Sequence, residues 1–341
     1  MRRRIIAITM GDPSGIGPEV TVKALAKKEI YDRCNPVVYG DVDPIADAIN
    51  FCHTDQIINI IKEPKEARGR YGIIDLIPLN KVHLGDWEYK TVSANSGEAA
   101  FSYIIRAIGD AMNKKVDAVT TGPINKESLH LAGHQYSGHT EIFAEYTGTK
   151  KYAMLLASKS LRVIHVTTHV PLRKACEMIT QERIVNVIKI ADDAMKSIGI
   201  KNPRIAVAGL NPHASENGLF GDEEAKEIIP AVQEARELGF NVDGPIPPDT
   251  VFVKAMGGQY DIVVAMYHDQ GHIPLKLSGF RLDASTGQYV SMSGVNCTLG
   301  LPIIRTSVDH GTAFGKAGEG RANEESMIDA IDIAILMAEN R

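Results

Sequence analysis

The sequence predicts an α/β protein with substantial parallel sheet, and three observations carry that reading. Short β-branched runs alternate with longer amphipathic ones along the 341 residues. Turn residues, rather than a low-complexity linker or an internal repeat, separate the runs. Three strand-like runs also deliver a histidine at or just past their end, as expected where parallel strands finish at a common edge. These are Val163 to Thr168 before His169, Ile205 to Leu210 before His213, and Asp261 to Met266 before His268.

In order, strands are expected over 4–9, 36–40, 72–77, 116–121, 152–157, 162–167, 204–210 and 261–266. A helix from about Ser96 to Met112 carries Phe101, Ile104, Ile105, Ile108 and Met112 on one stripe. A second, over 180–198, has Thr180 as N-cap and repeats Ile184, Val187, Ile188 and Ala191 at helical spacing. The last, about Glu324 to Ala338, carries Met327, Ile328, Ile331 and Ile335.

Composition bounds the class. A 44% hydrophobic content with 23% charged residues provides a sizeable core, and a net charge of −5 gives no reason to expect nucleic acid. No stretch approaches the roughly 18–20 apolar residues of a membrane span, and the apolar run after Met1 stops at Gly11-Asp-Pro13, too short for a signal peptide. Cys34, Cys52, Cys176 and Cys297 lie far apart with no Cys-x-x-Cys pair, which suits buried free thiols in a reducing cytoplasm.

The chemistry concentrates in a few loops. Tyr267-His-Asp-Gln-Gly-His-Ile-Pro-Leu-Lys276 directly follows a strand. Neutral imidazoles from His169, His213 and His268, gathered at one sheet edge, would bind Zn²⁺, Co²⁺ or a similar cation and leave positions open for substrate oxygens. Each is equally explained as a core or turn residue if the three do not converge. Asp249 and Asp269 are candidates for orienting ligands or moving protons, or for capping turns. Gly138-His-Thr-Glu141 puts His139 and Thr140 at a helix start suited to an anion, and Lys276 and Arg305 add positive charge near strand ends. Gly11 to Glu19 has the spacing G-x-x-x-G-x-G rather than G-x-G-x-x-G, so by itself it reads as a plain strand-to-helix connection with Pro18 near the first turn.

Met10-Gly-Asp-Pro-Ser-Gly-Ile-Gly-Pro-Glu19, Thr121-Gly-Pro-Ile-Asn-Lys126, Gly138-His-Thr-Glu141, Thr167-Thr-His-Val-Pro-Leu172, Gly209-Leu-Asn-Pro-His-Ala214, Gly244 to Thr250, Tyr267-His-Asp-Gln-Gly271 and Arg305 to Ala313 span almost the whole chain. In this order they resemble the motif series of the 4-hydroxythreonine-4-phosphate dehydrogenase (PdxA) family. The resemblance implies a two-lobed fold like that of the isocitrate and isopropylmalate dehydrogenases, with parallel and mixed sheets and an active site in a cleft at a homodimer interface. It implies a discontinuous first domain of 1–130 plus 305–341 and a second domain of 131–304. His169, His213 and His268 become the metal ligands (Zn, Co or Mg), one of them supplied by the neighbouring subunit, with Asp249 near the metal.

Substrate contacts fall on His139, Thr140, Lys276, Asn296 and Arg305, with Asp249 and Lys276 as catalytic candidates. Gly311-Thr-Ala313, Gly318 and Asn323 belong to a segment that is similar to the adenine-side nucleotide loop of those dehydrogenases, implying NAD. His165 and His272-Ile-Pro274 resemble the branch acting on 4-phospho-D-threonate or 4-phospho-D-erythronate, and the Ser/Gly-rich loop over 277–295, longer than in the vitamin-pathway enzyme, is equally a pocket-shaping lid or a surface excursion. The implied reaction is oxidation at C3 followed by decarboxylation to dihydroxyacetone phosphate. Alternatives are the 4-phosphohydroxy-L-threonine dehydrogenase of pyridoxal phosphate synthesis, a non-redox His₃ metallohydrolase, and a binding or regulatory protein that has lost activity.

Overall fold

The computed structural model describes residues 3–285 and 289–341. Its strands are β1 (Arg4–Thr9), β2 (Cys34–Gly40), β3 (Ile57–Ile60), β4 (Ile73–Pro78), β5 (Ala118–Thr121), β6 (Ala153–Ala157), β7 (Arg162–His165), β8 (Ile205–Ala208), β9 (Val242–Ile246), β10 (Ile262–Ala265), β11 (Phe280–Leu282), β12 (Tyr289–Met292), β13 (Val295–Leu299) and β14 (Arg305–Val308). The chain divides into one unit of Met1–Lys150 with Leu301–Glu339 and another of Lys151–Gly300 with the last two residues.

In the first unit the strand order is β3-β4-β2-β1-β5-β14, every neighbouring pair parallel. Ile6, Ala7 and Ile8 of β1 are fully buried, as a strand covered on both faces must be. Helix Ala94–Met112 is capped by the Ser93 hydroxyl, which accepts from the Ser96 amide at 3.1 Å. It buries Phe101, Ile104 and Ile108, whereas Met112, expected on the same stripe, is 43% exposed at the helix end. Helix Glu325–Glu339 buries Met327, Ile331 and Ile335.

The second unit runs β13-β6-β7-β10-β8-β9. Here β13, β6 and β7 are antiparallel neighbours, while β7, β10, β8 and β9 are parallel. Helix Gln181–Ser197 starts under the Thr180 hydroxyl, which accepts from the Arg183 amide at 3.3 Å. The core of this unit is Leu156, Val163, Ala206, Val263, Ala265 and Leu275, with their neighbours.

Four expectations change. The division falls at 150/151 and 300/301 rather than at 130/131 and 304/305. Residues 131–150 stay with the first unit because helix His139–Tyr146 is anchored there, Phe143 beneath the Arg305 guanidinium (5.6 Å to the ring centroid) and Tyr146 edge-on to Phe101. Of the four free cysteines, Cys34 and Cys297 are buried but Cys52 and Cys176 are only half-buried. Residues 277–295 are not one loop: Leu277 to Gly279 finish a helix, and β11 pairs antiparallel with β12. The part of that expectation covering 286–288 lies outside the described residues. Lys276 lies within helix His268–Gly279, two turns beyond the strand end. Among the described residues no helix is long and apolar enough to cross a membrane.

Two buried groups give the fold its measurable liabilities. Asp41, 1% exposed, accepts the backbone amides of Leu79, Asn80, Lys81 and Val82 at 2.5–3.0 Å and the Tyr103 hydroxyl at 2.7 Å. Asp41→Ala leaves those donors without an acceptor and is expected to cost on the order of 3 kcal/mol in urea unfolding; a cost below about 1 kcal/mol would contradict this account. His165 is fully buried, its Nδ1–H donating to the Met154 carbonyl at 3.2 Å, and burial, then His272, lower its pKa to about 3. The folded state therefore holds His165 neutral while the unfolded chain protonates it, so stability present above pH 6.5 is lost as pH falls from there toward 3. Relative to His165→Leu, the wild type should lose up to about 1.4 kcal/mol per pH unit in that window. Parallel stability curves for the two proteins would exclude this titration.

Candidate functional site

Three adjacent parallel strands, β7, β10 and β8, finish at one edge of the second unit, and each loop leaving that edge carries one of the expected histidines. His169 follows β7 in the loop before helix Leu172–Met178. His268 opens helix His268–Gly279 after β10, and His213 lies in a turn after β8.

Hydrogen bonds join the three loops. The Met266 carbonyl accepts from the Thr167 amide (3.2 Å) and hydroxyl (2.8 Å), tying the His169 loop to the His268 loop. The Met266 amide donates to Gln270 Oε1 at 2.7 Å, and Gln270 Nε2 donates to the Gly209 carbonyl at 2.8 Å, reaching the His213 loop. Gln270 is nearly buried, so these bonds lie out of competition with water.

The rings of His169 and His268 stand 5.7 Å apart between centroids. His268 Nδ1–H donates to Asp269 Oδ1 at 2.7 Å, which directs the Nε2 lone pair outward, as a metal-ligating histidine requires. A cavity of about 380 Å³ is lined by Thr168, His169, Tyr267, His268 and Asp269. Asp249, in the first turn of helix Pro248–Met256, lines a neighbouring cavity of about 550 Å³ that shares Tyr267 and Asp269 with the first. His213 lies instead beside Phe220, at 6.3 Å between centroids. Among the described residues no three His, Cys, Asp or Glu side chains are grouped closely enough to hold a metal. One chain thus supplies two adjacent imidazoles of a suitable donor set and carries the third on the same sheet edge.

Behind His268 lies His272, which sequence reading used as a marker of the substrate branch. His272 stacks on His268 at 3.6 Å and 13°, donates Nδ1–H to the His268 carbonyl at 2.9 Å, and contacts His165 at 4.8 Å. Burial, then the neighbouring His268, lower the His272 pKa to about 4. Lys276 is one further turn along, exposed, its ammonium 5.3 Å from the Phe280 ring centroid. Asn296 is half-buried on β13 opposite Leu156. The i, i+4, i+8 spacing of His268, His272 and Lys276 is the signal that could have marked this helix face.

The His213 turn has an uncommon backbone. His213, Ala214, Ser215, Glu216 and Asn217 all have φ between 45° and 64°, and Gly218 follows at 92°. Consecutive left-handed residues with side chains cost roughly 1–2 kcal/mol each, so the surroundings must enforce them.

In the first unit Arg305, 2% exposed, donates from Nη2 to Thr121 Oγ1 at 2.8 Å. His139 begins helix His139–Tyr146, with Thr140 next to it. Burial, then Arg305, hold the His139 imidazole well below its ordinary range, against a hydrogen bond to the Gly122 backbone, and its Nε2 is buried without a hydrogen-bond partner among the described residues. A neutral imidazole and a fixed guanidinium are chemically able to hold an anion.

The loop from Gly11 to Gly17 is more than a simple connection. The Asp12 amide donates to the Pro123 carbonyl at 2.9 Å, and the Ile16 amide to the Thr312 carbonyl at 3.0 Å. A Cβ on Gly11 would lie 2.4 Å from Pro123 O, and one on Gly15 would lie 2.8 Å from Thr312 Cβ. Burial raises the Asp12 carboxyl to about 6, against the Ser14 amide and the Ser128 hydroxyl. Sequence reading missed Asp12, although its place in a Gly-Asp-Pro-Ser-Gly turn was the available signal. Of the expected nucleotide residues, Thr312 is buried in this contact, while Gly311 and Ala313 are exposed and a side chain at Gly311 would meet nothing within 4 Å. Gly318 (φ 76°) packs on the Tyr89 ring, and Asn323 Oδ1 accepts the Glu325 amide at 2.7 Å at the start of the last helix, so both also have structural roles.

The family model described as "Pyridoxal phosphate biosynthetic protein PdxA" matches residues 32–334. A relative from Oceanobacillus iheyensis, described as "Putative D-threonate 4-phosphate dehydrogenase", is 47% identical over 344 residues, covering 99% of this chain and 98% of its own. Among solved structures, a 4-hydroxythreonine-4-phosphate dehydrogenase from Klebsiella pneumoniae is 46% identical with a TM-score of 0.85, and one from Burkholderia phymatum is 44% identical with a TM-score of 0.84. Each of these covers 98% of this chain and 99% of the other. Matches of this identity along the full length mean that the chain belongs to the PdxA family.

Proposed function

We propose that this protein is a divalent-metal- and NAD-dependent dehydrogenase of a 4-phosphorylated four-carbon hydroxy acid, D-threonate 4-phosphate or D-erythronate 4-phosphate. It oxidises the C3 hydroxyl and releases CO₂, leaving dihydroxyacetone phosphate. The observation that carries the reading is the pair of imidazoles from His169 and His268 beside one cavity, joined by hydrogen bonds to the loop of His213. The relatives' descriptions support a phosphorylated hydroxy acid as substrate. Their substrates differ while their identities to this chain are nearly equal, so likeness does not choose between them.

His169, His268 and His213 would hold the cation, one of the three being supplied by the neighbouring subunit of a homodimer. A bound cation would supply Lewis acidity at the hydroxyl and at the charge that develops as CO₂ leaves, and NAD would supply the hydride acceptor. Asp269 holds His268 in the tautomer that offers Nε2. Arg305 and neutral His139, with Thr140, would bind the phosphate or carboxylate of the substrate, and Lys276 and Asn296 would contribute further polar contacts. Asp249, beside the neighbouring cavity, would be the proton acceptor. The exposed backbone around Gly311 and Ala313 would receive the nucleotide.

Steady-state NADH formation with D-threonate 4-phosphate, D-erythronate 4-phosphate and 4-phosphohydroxy-L-threonine, compared by kcat/KM, tests the substrate. One of the first two should lead, and a strong preference for the third would replace this reading by the vitamin-pathway activity. Turnover that needs no nicotinamide would point instead to a metallohydrolase. His169→Ala and His268→Ala should each lower Co²⁺ content and reduce kcat/KM by at least about 100-fold; full metal content in both variants would refute the ligand assignment.

A further inference from the structure

We propose that Glu224 is a positioning residue for His213, fixing the left-handed turn that presents this imidazole. The inference rests on His213 serving as a metal ligand, as in the function proposed above. Glu224 is fully buried at the start of a π-helical turn, Glu224–Ile228, and π turns are frequent at functional sites. Its Oε1 accepts the Leu210 and Asn211 amides at 2.8 and 2.7 Å, and its Oε2 accepts Asn211 Nδ2 at 2.8 Å. The carboxylate thus grips the two residues that precede Pro212 and His213. Gly209 closes the other side: a Cβ there would lie 2.9 Å from Ala214 Cα and 3.2 Å from Glu224 Oε1.

The residues this clamp governs explain why it exists. His213 itself is exposed, so its left-handed backbone does not serve the packing of its own side chain. Within the turn, bonds are local: the Ala214 amide to the Asn211 carbonyl at 3.1 Å, and the Gly218 amide to the Ser215 carbonyl at 3.0 Å. Without Glu224 the chain after β8 is free to relax to right-handed or extended φ, which would turn His213 away from the edge where the other loops end. A buried charge gripping amides beneath a strained, exposed histidine is the pattern of a residue aimed for use.

The test combines Glu224→Ala, Glu224→Gln, Gly209→Ala and His213→Ala. Co²⁺ and Zn²⁺ titrations into the metal-free protein, amide hydrogen exchange of the 209–218 segment, and kcat and KM are measured well below each variant's unfolding temperature. Glu224→Ala should speed exchange across the turn and weaken Co²⁺ binding about 10- to 100-fold, with the loss in kcat rather than KM. Glu224→Gln, which keeps an acceptor for the two amides, should restore most of both. Should Glu224→Ala not fold, Gly209→Ala keeps Glu224 but crowds both the turn at Ala214 and the Glu224 carboxylate, and should weaken Co²⁺ binding in the same way. Unchanged Co²⁺ affinity in a folded Glu224→Ala protein, with or without a lower unfolding temperature, overturns the inference while His213→Ala still abolishes binding. If His213→Ala itself keeps full Co²⁺ affinity, the ligand assignment falls, and the role of Glu224 falls with it.

Discussion

The backbone of one residue, Met266, holds the candidate site together. The Met266 carbonyl takes two bonds from Thr167, and its amide gives one to Gln270, whose other end reaches Gly209. Parallel strands bring three loops to one edge, but strands alone leave the loops free of one another. The bonds around Met266 make the three a single body. Each is worth only about 1 kcal/mol net, yet breaking one strands a buried polar group, which costs more than the bond supplied. The second unit therefore cannot move the His268 loop without moving those of His169 and His213.

The first unit reaches the same end differently. Its loops approach so closely that side chains are excluded at Gly11 and Gly15, and backbone amides bond directly to backbone carbonyls of Pro123 and Thr312. Carboxylates complete the arrangement: Asp41 gathers four consecutive amides, and Glu19 accepts the Ala322 amide beside the candidate nucleotide segment. Buried acids in this protein thus act largely as acceptors for loop backbone. Among the described residues Asp41 and Glu224 have no ion pair, whereas Asp110 and Asp192 do, so an acid's burial here is not by itself a sign of proton transfer.

What the sequence revealed follows from the same division. Strands with β-branched cores, such as β1, β7 and β10, and the histidines at their ends were legible because burial on both faces leaves a continuous apolar run. β9 was not, since Val-Asp-Gly-Pro-Ile reads as a turn, and β13 was hidden by the polar Asn296 and Thr298 within it. The left-handed turn at His213 was illegible for a stricter reason. Ala214 and Ser215 have no preference for positive φ, so the conformation is imposed by Glu224 and Gly209, which lie outside the turn. Gln270 likewise has a role that appears only when three strand ends meet.

The helix face carrying His268, His272 and Lys276 holds its permanent positive charge at the end away from His268. His165 and His272 are lowered to about 3 and 4, chiefly by burial, and so are neutral at pH 7. A protonated His272, one turn from His268, would repel any cation held there at short range through a poorly screened path. Lys276 carries the row's permanent charge two turns away, roughly 12 Å along the axis at 1.5 Å per residue. That separation exceeds the Debye length of about 8 Å at physiological salt. The cation proposed for His268 and an anion at Lys276 would thus both be accommodated by the same helix, provided the imidazole between them remains uncharged. The fold favours this by half-burying His272 between His268 and His165.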